Sequence, residues 1–199
     1  MKTLLLIFMA GLFAGVAVSA PVINIVSDTT WKSSGVLVSG YTDAGFDDSS
    51  WSSTIVKPGY PYSPQSLLGL PDTIAEHMWH SDDSDYQVYM RKTFMLEKDT
   101  ALALVHLRGD DGYHFYVNGN LVDSYTVPPE TSWGHDHTVD ITSYLHAGEN
   151  VFAVEAWDVI TLNRSMLVDA RVALVPVPGA LLLGSLGCGL AASVRSRLR

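Results

Sequence analysis

The sequence has little of three things: cysteine, basic residues and recognisable catalytic motifs. Its 199 residues include one cysteine, Cys188, so no disulfide can form within the chain. A domain without disulfides depends on a well-packed core, and a central region of about 150 residues is long enough to bury one. Cys188 itself lies in an apolar stretch near the carboxyl end, where it suits a plain membrane-facing side chain.

Basic residues are scarce, particularly away from the two ends. Of 12 basic residues, four are Lys2, Arg195, Arg197 and Arg199, so the central region has 8 basic residues against 21 acidic ones. A formal charge of about −13 repels phosphate backbones, which excludes nucleic acid as a partner. Anionic polysaccharide is also repelled unless divalent cations bridge it, so neutral glycans or other proteins are the favoured partners.

Motifs for catalysis are missing as well. The sequence contains no Gly-x-Ser-x-Gly, no His-Glu-x-x-His and no P-loop. Carboxylates are plentiful, which leaves a glycosidase pair as a weak alternative. We therefore expect that the protein is not an enzyme.

The amino-terminal segment has the composition of a secretory signal peptide. Residues 1–20 begin with Lys2, continue as an apolar run and end in small residues. Cleavage fits after Ala20, or alternatively after Ala17. We expect the following region, residues 21–174, to be exported as one domain.

The carboxyl-terminal segment, residues 175–199, has three parts. It starts with a Val-Pro-Val-Pro sequence, continues with an uncharged apolar stretch over about 179–194, and ends in an arginine cluster at 195–199. An apolar run followed by arginines predicts a single transmembrane helix whose charged end stays in the cytoplasm.

This tail resembles a PEP-CTERM sorting signal in a Val-Pro-x-Pro variant. The residues that carry the resemblance are Val175, Pro176, Val177, Pro178, Arg195, Arg197 and Arg199. Val177 stands where the commonest form has glutamate. The resemblance implies an exosortase as processing partner, and a first tether in the inner membrane of a Gram-negative bacterium.

The central region reads as β-strands nearly throughout. Alternating or continuously apolar runs predict strands over 86–96, 101–107, 113–117, 151–157 and 166–174. Asn118 and Gly119 predict a hairpin turn, and 140–145 predicts a short turn of helix ended by Gly148. Many short strands separated by turn signals predict an all-β sandwich or jelly roll.

Four blocks of the central region resemble the sugar-binding jelly rolls attached to β-galactosidase-type glycosidases. They cover residues 42–51, 89–94, 109–119 and 140–154, in that order. The resemblance implies a galactose-binding-like fold, in which most of these residues shape turns and core. It also implies an accessory binding module, since the chemistry of those enzymes is done in other domains.

Two aromatic and histidine clusters are the candidate ligand site. Exposed tryptophans stack on sugar rings, and histidines bond hydroxyl groups, so the candidates are Trp79, His80, Trp133, His135 and His137. The alternative is that these tryptophans fold over the edge of the sandwich. His135 and His137 could also supply two metal ligands, but zinc needs a third or fourth. Trp51 and Trp157 are expected in the core.

Two pairs of aspartates have candidate roles beyond a solvated surface. Asp110 and Asp111 shape a turn between strands or, alternatively, contact a ligand. Asp47 and Asp48 are candidates for a structural calcium ion, the one cofactor that the sequence suggests. Residues 82–85 are better explained as a solvated acidic loop.

These features together predict an exported binding module of the cell envelope or extracellular matrix, with carbohydrate or matrix components as its targets. The principal alternative is a structural surface protein that recognises no sugar. An envelope glycoside hydrolase is the weaker alternative.

Overall fold

The strands form two antiparallel sheets that face each other. The computed structural model describes residues 20–57, 60–82, 84–126, 136–159 and 163–176, and Pro21–Val175 is one compact unit. The predicted signal peptide up to residue 19 and the tail from Val177 onwards, with its apolar stretch and arginine cluster, lie outside the described residues. No helix in the described ranges is long and apolar enough to cross a membrane.

In chain order the elements are β1 (Val22–Val26), β2 (Lys32–Ser34), β3 (Ser52–Ser53), β4 (Ile55–Val56), α1 (Pro64–Leu68), β5 (Met78–Trp79), β6 (Gln87–Leu96), β7 (Thr100–Asp110), β8 (Gly112–Val117), β9 (Asn120–Thr126), β10 (His137–Asp140), a 3-10 turn (Thr142–Tyr144), β11 (Gly148–Trp157) and β12 (Ser165–Leu174). The five strands predicted from the sequence are confirmed as β6, β7, β8, β11 and β12. The predicted helical turn is confirmed as the 3-10 turn.

The first sheet has the order β10-β7-β12-β5-β4, with β1 also paired to β12, and the second has the order β3-β2-β6-β11-β8-β9. The core between them takes alternate residues from both sheets: Val88, Met90, Val105, Leu107, Phe115, Phe152, Val154, Val168 and Val172. The predicted all-β sandwich is therefore confirmed. The predicted hairpin is confirmed too, because Asn118 and Gly119 have φ values of 50° and 81° between β8 and β9.

Arg91 fixes the long loop between β2 and β3 to the outer face of the second sheet. Its side chain is 1% exposed, and its Nε and Nη2 atoms donate to the carbonyl oxygens of Tyr41 and Asp43, both at 2.8 Å. Its Nη1 donates to the Phe46 carbonyl at 3.1 Å and to the Asp48 carboxylate at 2.5 Å. One buried guanidinium thus satisfies three loop carbonyls and one carboxylate.

Asp110, at the end of β7, accepts a hydrogen bond of 2.6 Å from the Tyr60 hydroxyl. Burial raises the pKa of the Asp110 carboxyl to about 6, although the Tyr60 hydrogen bond acts in the opposite direction. The neighbouring carboxylates of Asp111 and Asp158 raise it further. A half-buried carboxyl therefore changes its charge close to neutral pH.

Asp111 and Asp158 hold the end of β11. The Asp111 backbone N–H donates to the Trp157 carbonyl at 2.9 Å, and its carboxylate accepts the Val159 N–H at 2.7 Å. Asp158 is 5% exposed and accepts a hydrogen bond of 3.0 Å from Arg164 Nε. This network supports the structural alternative for Asp110 and Asp111, and it fixes the backbone that carries Trp157.

The Arg91 contacts generate a stability prediction. Arg91→Ala removes a buried guanidinium and leaves a partly buried carboxylate and three carbonyls without their donor, so we expect the free energy of unfolding to fall by roughly 3 kcal/mol. Arg108→Ala is the control, because Arg108 makes one hydrogen bond of 3.3 Å to the Leu67 carbonyl and should cost about 1 kcal/mol or less. Guanidinium denaturation followed by tryptophan fluorescence measures both. Equal losses of unfolding free energy in the two variants would contradict the role given to Arg91.

Asp110 generates a prediction about pH. Its folded pKa of about 6 lies above the ordinary value of about 3.9, so the folded state favours the protonated form and loses stability as pH rises from 4 to above 6. Asp110→Asn keeps an acceptor for Tyr60 and removes this loss. Allowing for solvent screening, we expect the variant to be more stable by about 1 kcal/mol at pH 7.5. Most of that difference in stability should vanish at pH 4.5. A difference that does not depend on pH would contradict the raised pKa of Asp110.

Candidate functional site

The outer face of the second sheet is half covered and half open. The loop held by Arg91 places Tyr41 against Tyr89 and Tyr116, with ring centroids 5.3 and 6.1 Å apart. Trp51 stacks on Tyr41 and is 7% exposed, which confirms its predicted place in a core. Aromatic packing therefore covers one half of the face, and the ends of β8 and β11 form the other half.

Trp157 lies on the open half, opposite Gly112 on the neighbouring strand. A Cβ atom placed on Gly112 would lie 2.4–2.6 Å from three atoms of the indole ring, so the ring lies across the glycine. Trp157 remains partly exposed, and its ring is 5.0 Å from His114 at an angle of 67°. The expectation that Trp157 belongs to the core is wrong, because its strand position points away from the core residues Val154 and Ala156.

A chain of hydrogen bonds runs beside the indole. Gln87 Nε2 donates to Glu155 Oε1 at 2.5 Å, and His114 Nδ1 donates to Glu155 Oε2 at 2.9 Å. Because Nδ1 carries the hydrogen, Nε2 of the neutral imidazole is an acceptor. The side chains of His114 and Glu155 are 38% and 19% exposed, so both reach solvent.

We call Gln87, His114, Glu155 and Trp157 the Trp157 face. Its electrostatic character is set by Glu155. Burial raises the pKa values of Tyr89 and Tyr116, and the charge of Glu155 raises them further, so its negative field extends across the neighbouring phenols. The face combines an oriented aromatic ring with hydrogen-bond acceptors, an arrangement suited to a ligand rich in hydroxyl or amino groups.

Trp79 and His80 do not form an exposed platform. Trp79 is fully buried in the core, and its Nε1 donates to the Asp85 carbonyl at 3.2 Å. His80 Nδ1 lies 2.9 Å from the Ser33 hydroxyl, and its side chain is 12% exposed. The prediction that Trp79 stacks on a sugar is therefore wrong, because β5 turns this ring into the sandwich.

His137 lies on β10, where its Nδ1 donates to the Asp123 carboxylate at 2.9 Å. The same oxygen accepts the Tyr113 hydroxyl at 2.6 Å. Trp133 and His135 lie outside the described residues, so their role as a sugar platform stays a prediction, as does a metal site shared by His135 and His137.

Asp47 and Asp48 already have partners within the protein, and the calcium ion predicted at these residues stays a prediction. Asp48 pairs with Arg91, which neutralises its charge, and Asp47 accepts the Ser49 N–H at 3.0 Å within a tight turn. No group of three or more His, Cys, Asp or Glu residues suited to a metal ion occurs in the described part of the chain.

Sequence reasoning missed the Trp157 face, although a signal for it was available. Glu155 and Trp157 alternate with Val154 and Ala156 along β11, so they had to lie on the opposite face from the core. The pattern Glu-x-Trp on the outward face of a strand was the local sequence signal for this candidate site.

No protein-family model matches the sequence, and no curated protein matches it either. Solved structures do match. A calcium-binding mutant of Bacteroides uniformis beta-glucuronidase 2 is similar with a TM-score of 0.50 and 18% identity, over 77% of this chain and 18% of that chain. A beta-glucuronidase from glycoside hydrolase family 2 gives 0.50 and 17% identity, over 79% of this chain and 18% of that chain.

These likenesses show a shared β-sandwich fold. The chain spans less than a fifth of the length of either glycosidase. It is therefore similar to one part of these larger enzymes, which are glycosidases.

Proposed function

We propose that this protein is an exported carbohydrate-binding module with a galactose-binding-like jelly-roll fold, and that it binds glycans on the Trp157 face. The observation that carries the proposal is the indole of Trp157, held across Gly112 beside the hydrogen-bonded Glu155 and His114. A sugar ring offers an apolar face to the indole and hydroxyl groups to the acceptors. Because neighbouring side chains already orient each of these groups, little conformational entropy is lost on binding.

The likeness to glycosidases supports a carbohydrate-related role, while their catalytic activity belongs to much longer chains. We propose binding without hydrolysis. Glycosidases place two carboxyl groups on either side of the bond that they cleave. On the Trp157 face the one carboxylate is Glu155, and its partners there are an amide and an imidazole.

The terminal segments suggest where binding takes place. A signal peptide over 1–20 would export the domain, and the 179–194 helix would tether it in the inner membrane of a Gram-negative bacterium until an exosortase processes the tail. The mature module would then act at the outer surface or in the extracellular matrix. The principal alternative is a structural surface protein without a glycan ligand.

Glycan binding is tested with a glycan array, followed by calorimetry with the glycan that binds best. Trp157→Ala should weaken that affinity by about tenfold, equivalent to about 1.4 kcal/mol, because the stacking surface is lost. Gly112→Ala keeps the tryptophan but displaces its ring, and should weaken binding as well.

Trp133→Ala is the matched control, since Trp133 is the other candidate platform, and it should change the affinity less than about twofold. A larger loss with Trp133→Ala than with Trp157→Ala would move the site to the segment that follows β9 in the sequence. An array without any bound glycan would favour the structural alternative.

Processing of the ends is tested by intact mass spectrometry of the protein from membrane and secreted fractions. We expect a product that lacks the signal peptide and everything after about Val177. A product that retains Arg199 and occurs only in membranes would indicate a simple membrane anchor and remove the exosortase from the proposal.

A further inference from the structure

We infer that the preferred ligands of the Trp157 face are glycans with free amino groups, such as partly de-N-acetylated hexosamine chains. This inference rests on the proposed function and adds the chemical class of the ligand. It is carried by Glu155, a carboxylate that no arginine or lysine among the described residues neutralises.

The hydrogen-bonding groups beside Trp157 leave acceptors for a ligand. Gln87 and His114 each donate to one oxygen of Glu155, which still leaves lone pairs on both oxygens. His114 presents Nε2, a further acceptor while the ring is neutral. A ligand must therefore bring donors to this surface, and an ammonium group brings three with a positive charge.

The cations nearest to Glu155 on this face of the sheet are engaged or distant. Arg91 lies on β6, two residue pairs further along, and is enclosed by Asp48 and the loop carbonyls. Lys32 lies one strand beyond Arg91, on β2. On the neighbouring strand β8, the side chain that contacts Glu155 is His114, through its Nδ1 atom.

The surroundings add negative charge rather than cancel it. Asp158, next to Trp157, is paired with Arg164, so the negative charge comes from the central region as a whole, which has 21 acidic residues against 8 basic ones. The attraction of a cationic glycan towards this region is long-ranged at low salt. Glycans that carry carboxylate or sulfate groups are repelled by the same field, and uncharged glycans can only stack and accept or donate hydrogen bonds.

The test compares two probes of equal length, the tetramer of glucosamine and the tetramer of N-acetylglucosamine, by calorimetry at pH 7 and low salt. We expect the wild-type protein to bind the glucosamine tetramer about tenfold more tightly. Glu155→Gln keeps the shape and an acceptor but removes the charge, so this preference should fall to about twofold or less.

Glu149→Gln is the matched control for overall charge. Glu149 lies on the same strand, β11, but is exposed at its other end, so this variant should keep most of the preference. Equal losses in the two variants would mean nonspecific attraction and would overturn the inference. A Trp157-dependent affinity that is the same for both tetramers would overturn the inference but leave glycan binding intact, whereas binding of neither tetramer nor any array glycan would overturn both.

Discussion

The arginine at position 91 decides which part of the outer sheet face is open. It reaches from β6 into the loop between β2 and β3 and satisfies groups that would otherwise be buried without partners. The loop then packs its aromatic rings over Tyr89 and Tyr116 and stops short of Trp157. One side chain thereby closes half of the face and leaves the other half available for a ligand.

The local features of the fold were predictable, since alternation and turn chemistry act between neighbours in the sequence. β6, β8 and β12 follow from their alternation, and the Asn118–Gly119 turn follows from the tolerance of both residues for positive φ. The resemblance of four blocks to sugar-binding jelly rolls pointed to the same sandwich. Each of these signals lies within a segment of 15 residues or fewer.

The placement of the tryptophans and aspartates depended on distant partners and was not predictable in the same way. Trp79 looked like a loop residue, but the short strand β5 is fixed by pairing with β4 and β12, which buries the ring. The pairing of Asp48 with Arg91, 43 residues away, could not be read from the local sequence either. Such pairings follow from tertiary structure, which no local pattern encodes.

Gly112 supports a functional explanation for Trp157. Gly112 is the first residue of β8. It pairs with Trp157 on the neighbouring strand β11, and any side chain at this position would collide with the indole. The missing side chain leaves room for the tryptophan to lie across the glycine, partly exposed, beside Glu155. Core packing does not require this arrangement, because the ring lies on the outer face, whereas the proposed glycan binding would use it.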